Sequence, residues 1–597
     1  RVTCDISCSA ADPLDARIVI SAPLAGAEVP FWMIPGLFYG LNRPDGCGRV
    51  FPSFRPDGAD PAGLVSDHWE FRADRSAVPA VFAWTGRAGL AMAAAETTEL
   101  GMTGIGFRYA AGGSQVWLSF PYAERPVSYR GRPYGEAPLS QLHRWQPGER
   151  RTVLLDVFTF GPDRHSYAPI LRSLHAASVL TAPVRPWVGL QRAAELTAYG
   201  LHRWHYHPEH GALYETAAFE RDIGGEAMGQ PDRPEMHVAW VSGIPYARAL
   251  IRHGRRIGND DYVAAGQHVI DTICGNLAPC GSFWGRWSLQ HGWTQSWTPL
   301  RHGLHARTLA EAALFTARAI ADEHAAGRSR PQWEVALRGT LALATAGMDA
   351  DGNPGSMYHA LTGEVLSRAG AAGLTWVAAL AEASVTLDEP AWLDAARAAG
   401  RYYARYVRHE TLCGAPEDVD LAPTSEDGVA AILAYSALYR ATGEREWLEL
   451  ARHGADWMLT FRYIYNTGFD PHTLLGDYGF ATRGADQASP SNQHLHSYGL
   501  MCTAELAELS RACGDPHYAE RAAETLACLR QFIARADGDF NARLGMASER
   551  FYQTECFQPK GMLLTLSHSW CLGVLLLACE DALGRPDLME LEKGYWP

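Results

Sequence analysis

No run of apolar residues approaches the roughly 20 that a helix needs to cross a bilayer, so the sequence offers no membrane span. Positive charge is also short. Lys and Arg number 52 against 66 Asp and Glu, and the net charge of −14 argues against nucleic acid or an anionic membrane as partner. Metal signatures are missing: there is no HExxH pattern, and the 12 Cys are scattered. Cys4 with Cys8 and Cys274 with Cys280 are near enough in sequence to pair, but neither spacing is a metal motif. Cys502, Cys571 and Cys579 fall on apolar helical faces, where buried free thiols are the usual reading. No metal and no cofactor are therefore expected. The chain opens on Arg1 rather than Met, which constrains localisation little; a cytoplasmic protein is the expectation. What is present is ordinary globular material, 47% apolar and 20% charged, ample for a large core.

The organising stretch is 424–458. Thr424 or Ser425 caps a helix whose first turn carries Glu426 and Asp427 and which stops at Gly443. Ala430, Ile432, Leu433, Ala437 and Leu438 leave it no broad polar face, so it needs neighbours on every side. The run that follows is different. Trp447, Leu448, Ala451, Ala455 and Met458 form one apolar stripe, with Glu444, Glu446 and Arg452 facing elsewhere. An inner helix is followed by an outer one, and the pair recurs. Tyr262, Trp333, Trp392, Trp447 and Tyr518 each announce an Ala-rich outer run, too widely spaced for the common helical repeats of about 34 to 47 residues. The runs from Val188 to Gly584 amount to about twelve helices in about six hairpins. A closed (α/α)6 toroid over 187–597 buries the inner helices on both sides. Residues 1–186 read differently, with alternating segments at 16–20, 81–84, 115–120 and 151–160 that predict an antiparallel β-sandwich followed by a short linker helix. The fold class is α+β, in two domains.

Inner-to-outer turns are short, but the reverse connections over 276–303, 348–367, 411–424, 464–489 and 536–563 are long, and loops of that length are usually functional. They meet at the rim holding the inner-helix N-termini. There Phe283–Trp297 sets four Trp beside Arg301, His302 and His305, and Ser489–Tyr498 holds Asn492, His494, His496 and Tyr498. At this level the chain resembles the six-hairpin carbohydrate-active enzymes with an N-terminal β-sandwich, such as the glucoamylase-like, cellobiose-phosphorylase-like and rhamnosidase-like families. The resemblance covers nearly the whole chain and carries no family-specific motif.

It implies cleavage of a glycosidic bond in an oligo- or polysaccharide by two carboxyls across a groove. Glu426, Asp427, Glu235 and Glu549 are the catalytic candidates on the rim. An acid in a helix's first turn also caps and complements the dipole, so both readings stand for Glu426 and Asp427. Trp287, Trp293 and Trp297 offer flat faces to sugar rings, or pin their loop to the toroid. Arg301, His302, His305, Arg368, Asp486, Asn492, His494, Tyr498, Tyr552 and His568 are candidate polar lining. The Ser489–Tyr498 stretch reads as a helix, in which His494 and Tyr498 share one face and Asn492 and His496 another. A rival reading is a lyase or epimerase on uronate-containing glycans, with a His494 or Tyr498 base and Arg301 or Arg368 neutralising the carboxylate.

Overall fold

A computed structural model of the chain describes residues 1–179, 181–219, 231–409 and 412–596. The expected alternating segments are strands, gathered in two main antiparallel sheets. The larger runs in the order Val2–Ser7, Arg150–Phe160, Gly89–Ala94, Ala80–Trp84, Phe31–Ile34, Phe38–Tyr39. The smaller runs Ile18–Leu24, Ser114–Phe120, Gly104–Arg108, His68–Arg72. Period two puts Val81, Ala83, Leu90 and Met92 of the first sheet into one core with Ile105, Phe107, Val116 and Leu118 of the second. Trp32 stacks on Phe107 across it at 4.6 Å. A one-residue slip would turn each of these side chains out to the opposite face, so the shared core sets the register. The other face of the larger sheet packs on helices. Tyr39 lies 4.5 Å from Trp457, and its hydroxyl meets Thr460 Oγ1 at 2.6 Å.

Among the described residues the inner helices Gly243–Ile257, Ala306–Ala325, Thr375–Thr386, Ser425–Thr442, Thr503–Cys513 and Ser569–Leu583 each pack on the next, and the last packs on the first. The ring closes. Behind them stand the outer helices Asp260–Cys274, Pro331–Gly347, Pro390–Arg408, Arg445–Leu459 and His517–Leu529, while Leu190–Gly200 backs the final inner helix. The organising helix behaves as its sequence predicts. The Thr424 side chain accepts from the Asp427 amide, and the helix stops at Gly443, whose φ of 71° is readily reached without a Cβ. A Cβ on Gly428 would stand 2.6 Å from that of Met458, so glycine lets the inner and outer helices approach.

Other inner helices begin later than periodicity predicts. Short strands occupy the residues ahead of them: Glu235–His237 pairs with Arg286–Ser288, and Leu566–His568 pairs with Thr216–Ala218. The predicted helix over 490–513 starts only at Thr503, because Asp486–Ser489 and Asn492–His496 form a hairpin. Cross-loop pairing at the mouth overrides the local helical signal. The expected loop over 411–424 begins at a residue outside the described ones. The sheets clasp this mouth. Arg75 donates to Gln493 Oε1 at 2.7 Å, and Tyr129 donates to the Ser491 carbonyl at 2.8 Å.

Candidate active site

At the mouth, between inner-helix N-termini and the 486–496 hairpin, lies a cavity of about 300 Å³. Trp240, Trp297 and Trp570 are among its walls; Asp418, Glu426 and Glu549 supply carboxyls, and Arg233 and Arg550 supply positive charge. Asn492, His494 and His496 all line it. Their grouping follows from the strand, where alternate residues share a face. The helical reading separates Asn492 and His496 from His494, and the hairpin overturns it. His568, at the end of its own short strand, completes the lining.

The carboxyls sit in contrasting surroundings. Glu549 is buried, which opposes its charge, but His568 and Arg550 outweigh that and hold it well below the usual carboxylate range. Arg550 Nε donates to its Oε1 at 2.6 Å, and Trp570 Nε1 donates to its Oε2 at 3.3 Å. Asp418 is open to the cavity yet ringed by protein. Although the residue is exposed, the protein walls around it, reinforced by Glu426, push it up to about 6. Its loop is held from the sheets, where Arg49 Nε donates to the Asp418 carbonyl at 2.9 Å and Arg49 Nη1 to Asn492 Oδ1 at 3.3 Å. Glu426 forms an ion pair with Arg307 at 2.5 Å, and burial still raises it. Burial, the largest influence on all three histidines, keeps His494 far below its usual value, His496 at about 4 and His568 lowered, so each is neutral at pH 7.

Of the residues predicted from sequence, Glu426, Glu549, Trp297, Asn492, His494 and His568 come together in this cavity. The others do not line it. Asp427 turns back to its own helix start, accepting from the Ala415 and Thr424 amides at 2.8 Å each and from the Thr424 hydroxyl at 2.7 Å. The capping reading is the one its geometry satisfies. Glu235 pairs with Arg286 at 2.9 Å, and Asp486 is buried against Arg462 at 2.8 Å. Tyr498 donates to Glu311 at 2.6 Å beneath Arg307. Trp287 and Trp293 face each other in adjacent strands of the mouth and pack on the core, with Trp287 also against His210. They pin their loop. His305 lies 4.0 Å from Glu417, His302 stacks edge-on to His359, and Arg301 is exposed. Arg368 donates to the Gly347 carbonyl at 2.7 Å and ties down its own loop. Tyr552 sits 6.2 Å behind the His494 ring.

Sequence reasoning passed over Asp418, Arg233, Arg550 and Trp240, which line the cavity, and Glu215, which stands behind it. Asp418 and Arg550 lie within long mouth loops, and Arg550 directly follows a candidate acid, so loop membership was the available signal. Glu215 and Trp240 carry none.

No family model matches this chain, and no curated protein matches it. Among solved structures, D-mannose isomerase aligns over 66% of this chain and 97% of its own, at 13% identity and a TM-score of 0.47. The cellobiose 2-epimerase of Spirochaeta thermophila aligns over 70% of this chain and 100% of its own, at 13% identity and a TM-score of 0.43. A protein described as a polysaccharide lyase aligns over 96% of this chain and 87% of its own, at 11% identity and a TM-score of 0.46.

Proposed function

We propose that the protein is a glycoside hydrolase acting on an oligo- or polysaccharide, with residues 1–186 as a β-sandwich and 187–597 as the catalytic toroid. The observation that carries this reading is the meeting of Asp418, Glu426 and Glu549 in one cavity walled by Trp240, Trp297 and Trp570. Rings match the apolar faces of sugars. Carboxyls whose surroundings push their pKa values apart divide into an acid and a base. Glu549, kept ionised by Arg550, is the base or nucleophile. Asp418, near 6 and bound by no side chain among the described residues, is the proton donor to the leaving oxygen. Glu426 is held by the buried Arg307 behind the cavity wall.

Glu549→Gln and Asp418→Asn should each cost about 10²- to 10⁴-fold in turnover while the glycan still binds. Wild-type turnover in both variants would refute the assignment. A second reading has one observation in its favour: His494, His496 and His568 are neutral and line the cavity, so an imidazole could take a proton α to a uronate carboxylate. Of the groups first considered for that chemistry, His494 lines the cavity, whereas Tyr498, Arg301 and Arg368 do not. An unsaturated product absorbing in the near ultraviolet would decide for it.

A further inference from the structure

The cavity's positive charges are not equally committed. Arg550 is spent on Glu549 at 2.6 Å, and Arg307, buried behind the lining, on Glu426 at 2.5 Å. Arg233, on the strand Pro231–Arg233, is different. Its side chain is 45% exposed, and among the described residues its nearest carboxylate oxygens are Glu215 Oε2 at 3.6 Å and Asp232 Oδ2 at 3.8 Å. Neither is a hydrogen bond, and among the described residues no side chain or carbonyl accepts from the guanidinium. Its Cζ lies over the Trp297 ring, 6.0 Å from the ring centre. A guanidinium is a planar fork of donors that matches a carboxylate or sulfate in two-pronged fashion.

Glu215 explains why this fork is free. It is wholly buried, neither of its oxygens has a hydrogen-bond partner among the described residues, and it stands behind Arg233 rather than in front of it. The charged groups around it are Arg233 and Asp232 on one strand, Glu235 on the next, Arg286 on the strand paired with that, and Glu549 from the mouth loop; the neighbouring titratable group His568 is neutral. Burial dominates and lifts Glu215 to about 8, against the pull of Arg233. At pH 7 it is a neutral acid and does not cancel the arginine.

Taking the site as a saccharide site, as proposed above, we infer that its substrate is an acidic saccharide and that Arg233 binds the anionic group, a carboxylate or a sulfate ester, beside the Trp297 face. The binding is a charge-assisted, two-pronged contact formed at the rim, with no proton transferred. Glu549, held ionised, would repel that group elsewhere in the cavity, which fixes the orientation of the sugar.

The test is calorimetric binding to the full chain of three preparations: uronate-bearing oligosaccharides, the same after carboxyl reduction, and sulfated oligosaccharides. Wild type should prefer one of the acidic preparations over the neutral one by about 10- to 100-fold, the range of a hydrogen-bonded charge pair. Which acidic preparation binds tighter identifies the anion. Arg233→Gln, at an exposed position that does not endanger folding, should abolish the preference and leave neutral binding within a few-fold. The preference should fade above about pH 8 as Glu215 ionises and pairs with Arg233, and Glu215→Gln should keep it undiminished there. Equal binding of acidic and neutral sugars by wild type, or equal weakening of both by Arg233→Gln, overturns the inference and leaves the hydrolase reading standing. Binding of no saccharide at all overturns both.

Discussion

Glu215→Gln is expected to stabilise the protein, and by an amount that grows with pH. A buried carboxyl lifted from 4.5 to about 8 must take up a proton when the chain folds at neutral pH. The folded state then binds more protons than the unfolded one between those two values, so stability falls as pH rises through that window, by up to about 1.4 kcal/mol per pH unit. Below about pH 4.5 the group costs nothing. At pH 7 the accumulated cost is about 3 kcal/mol, and above pH 8 it levels off near 5 kcal/mol. Gln is isosteric and has nothing to protonate, and neither Glu215 oxygen has a hydrogen bond to lose. For a chain of this size, 3 kcal/mol corresponds to roughly 2–4 °C in the thermal midpoint. The assay is a thermal scan of both proteins from pH 4.5 to 9, read as the difference between them. That difference should be near zero at pH 4.5 and favour the variant increasingly to pH 8. A difference independent of pH, or one favouring wild type at pH 8, would show that Glu215 folds in as a carboxylate and that the account of Arg233 as a free cation is wrong.

Three further outcomes follow from the same geometry. If Asp418 is the proton donor, kcat/KM should fall tenfold per pH unit above about pH 6, where the raised Asp418 gives up its proton, and Asp418→Asn should erase that limb along with most of the activity. Asp427→Ala should behave as a lost cap: it leaves the Ala415 and Thr424 amides and the Thr424 hydroxyl without their acceptor, at a cost of about 2–4 kcal/mol. Denaturant titration would read that loss, while the folded variant should keep its turnover within a few-fold; a thousandfold fall in turnover at unchanged stability would instead place Asp427 in the chemistry. Arg307→Met should destabilise by about 3–5 kcal/mol, since it strands Glu311 and Glu426 without a counter-charge. The double change with Glu311→Gln should recover part of that loss, and a purely additive result would count against the network.

What the amino-acid order determined by itself was local and periodic. The apolar stripe of Trp447, Leu448, Ala451 and Ala455, the cap at Thr424 and the stop at Gly443 are i to i+4 properties, and they are where the sequence places them. The same holds for the strands 81–84 and 115–120, whose alternation is read within six residues. Short outer turns and long mouth loops were legible too, and they led to the cavity-lining Glu426, Glu549, Trp297, Asn492, His494 and His568. The tertiary structure decided which of the rim residues face one another. Asn492, His494 and His496 share a wall only because the 486–496 segment pairs as a hairpin at the mouth, against its local helical signal. Asp427 is turned away by backbone amides 3 and 12 residues back along the chain. Glu215 is uncharged through a burial that no window around it announces, and its effect falls on Arg233, on a separate strand. Helix and strand periods are set by covalent geometry and can be read in a window; the charge state and facing of a side chain are set by everything that excludes water around it, and that is assembled only when the ring closes.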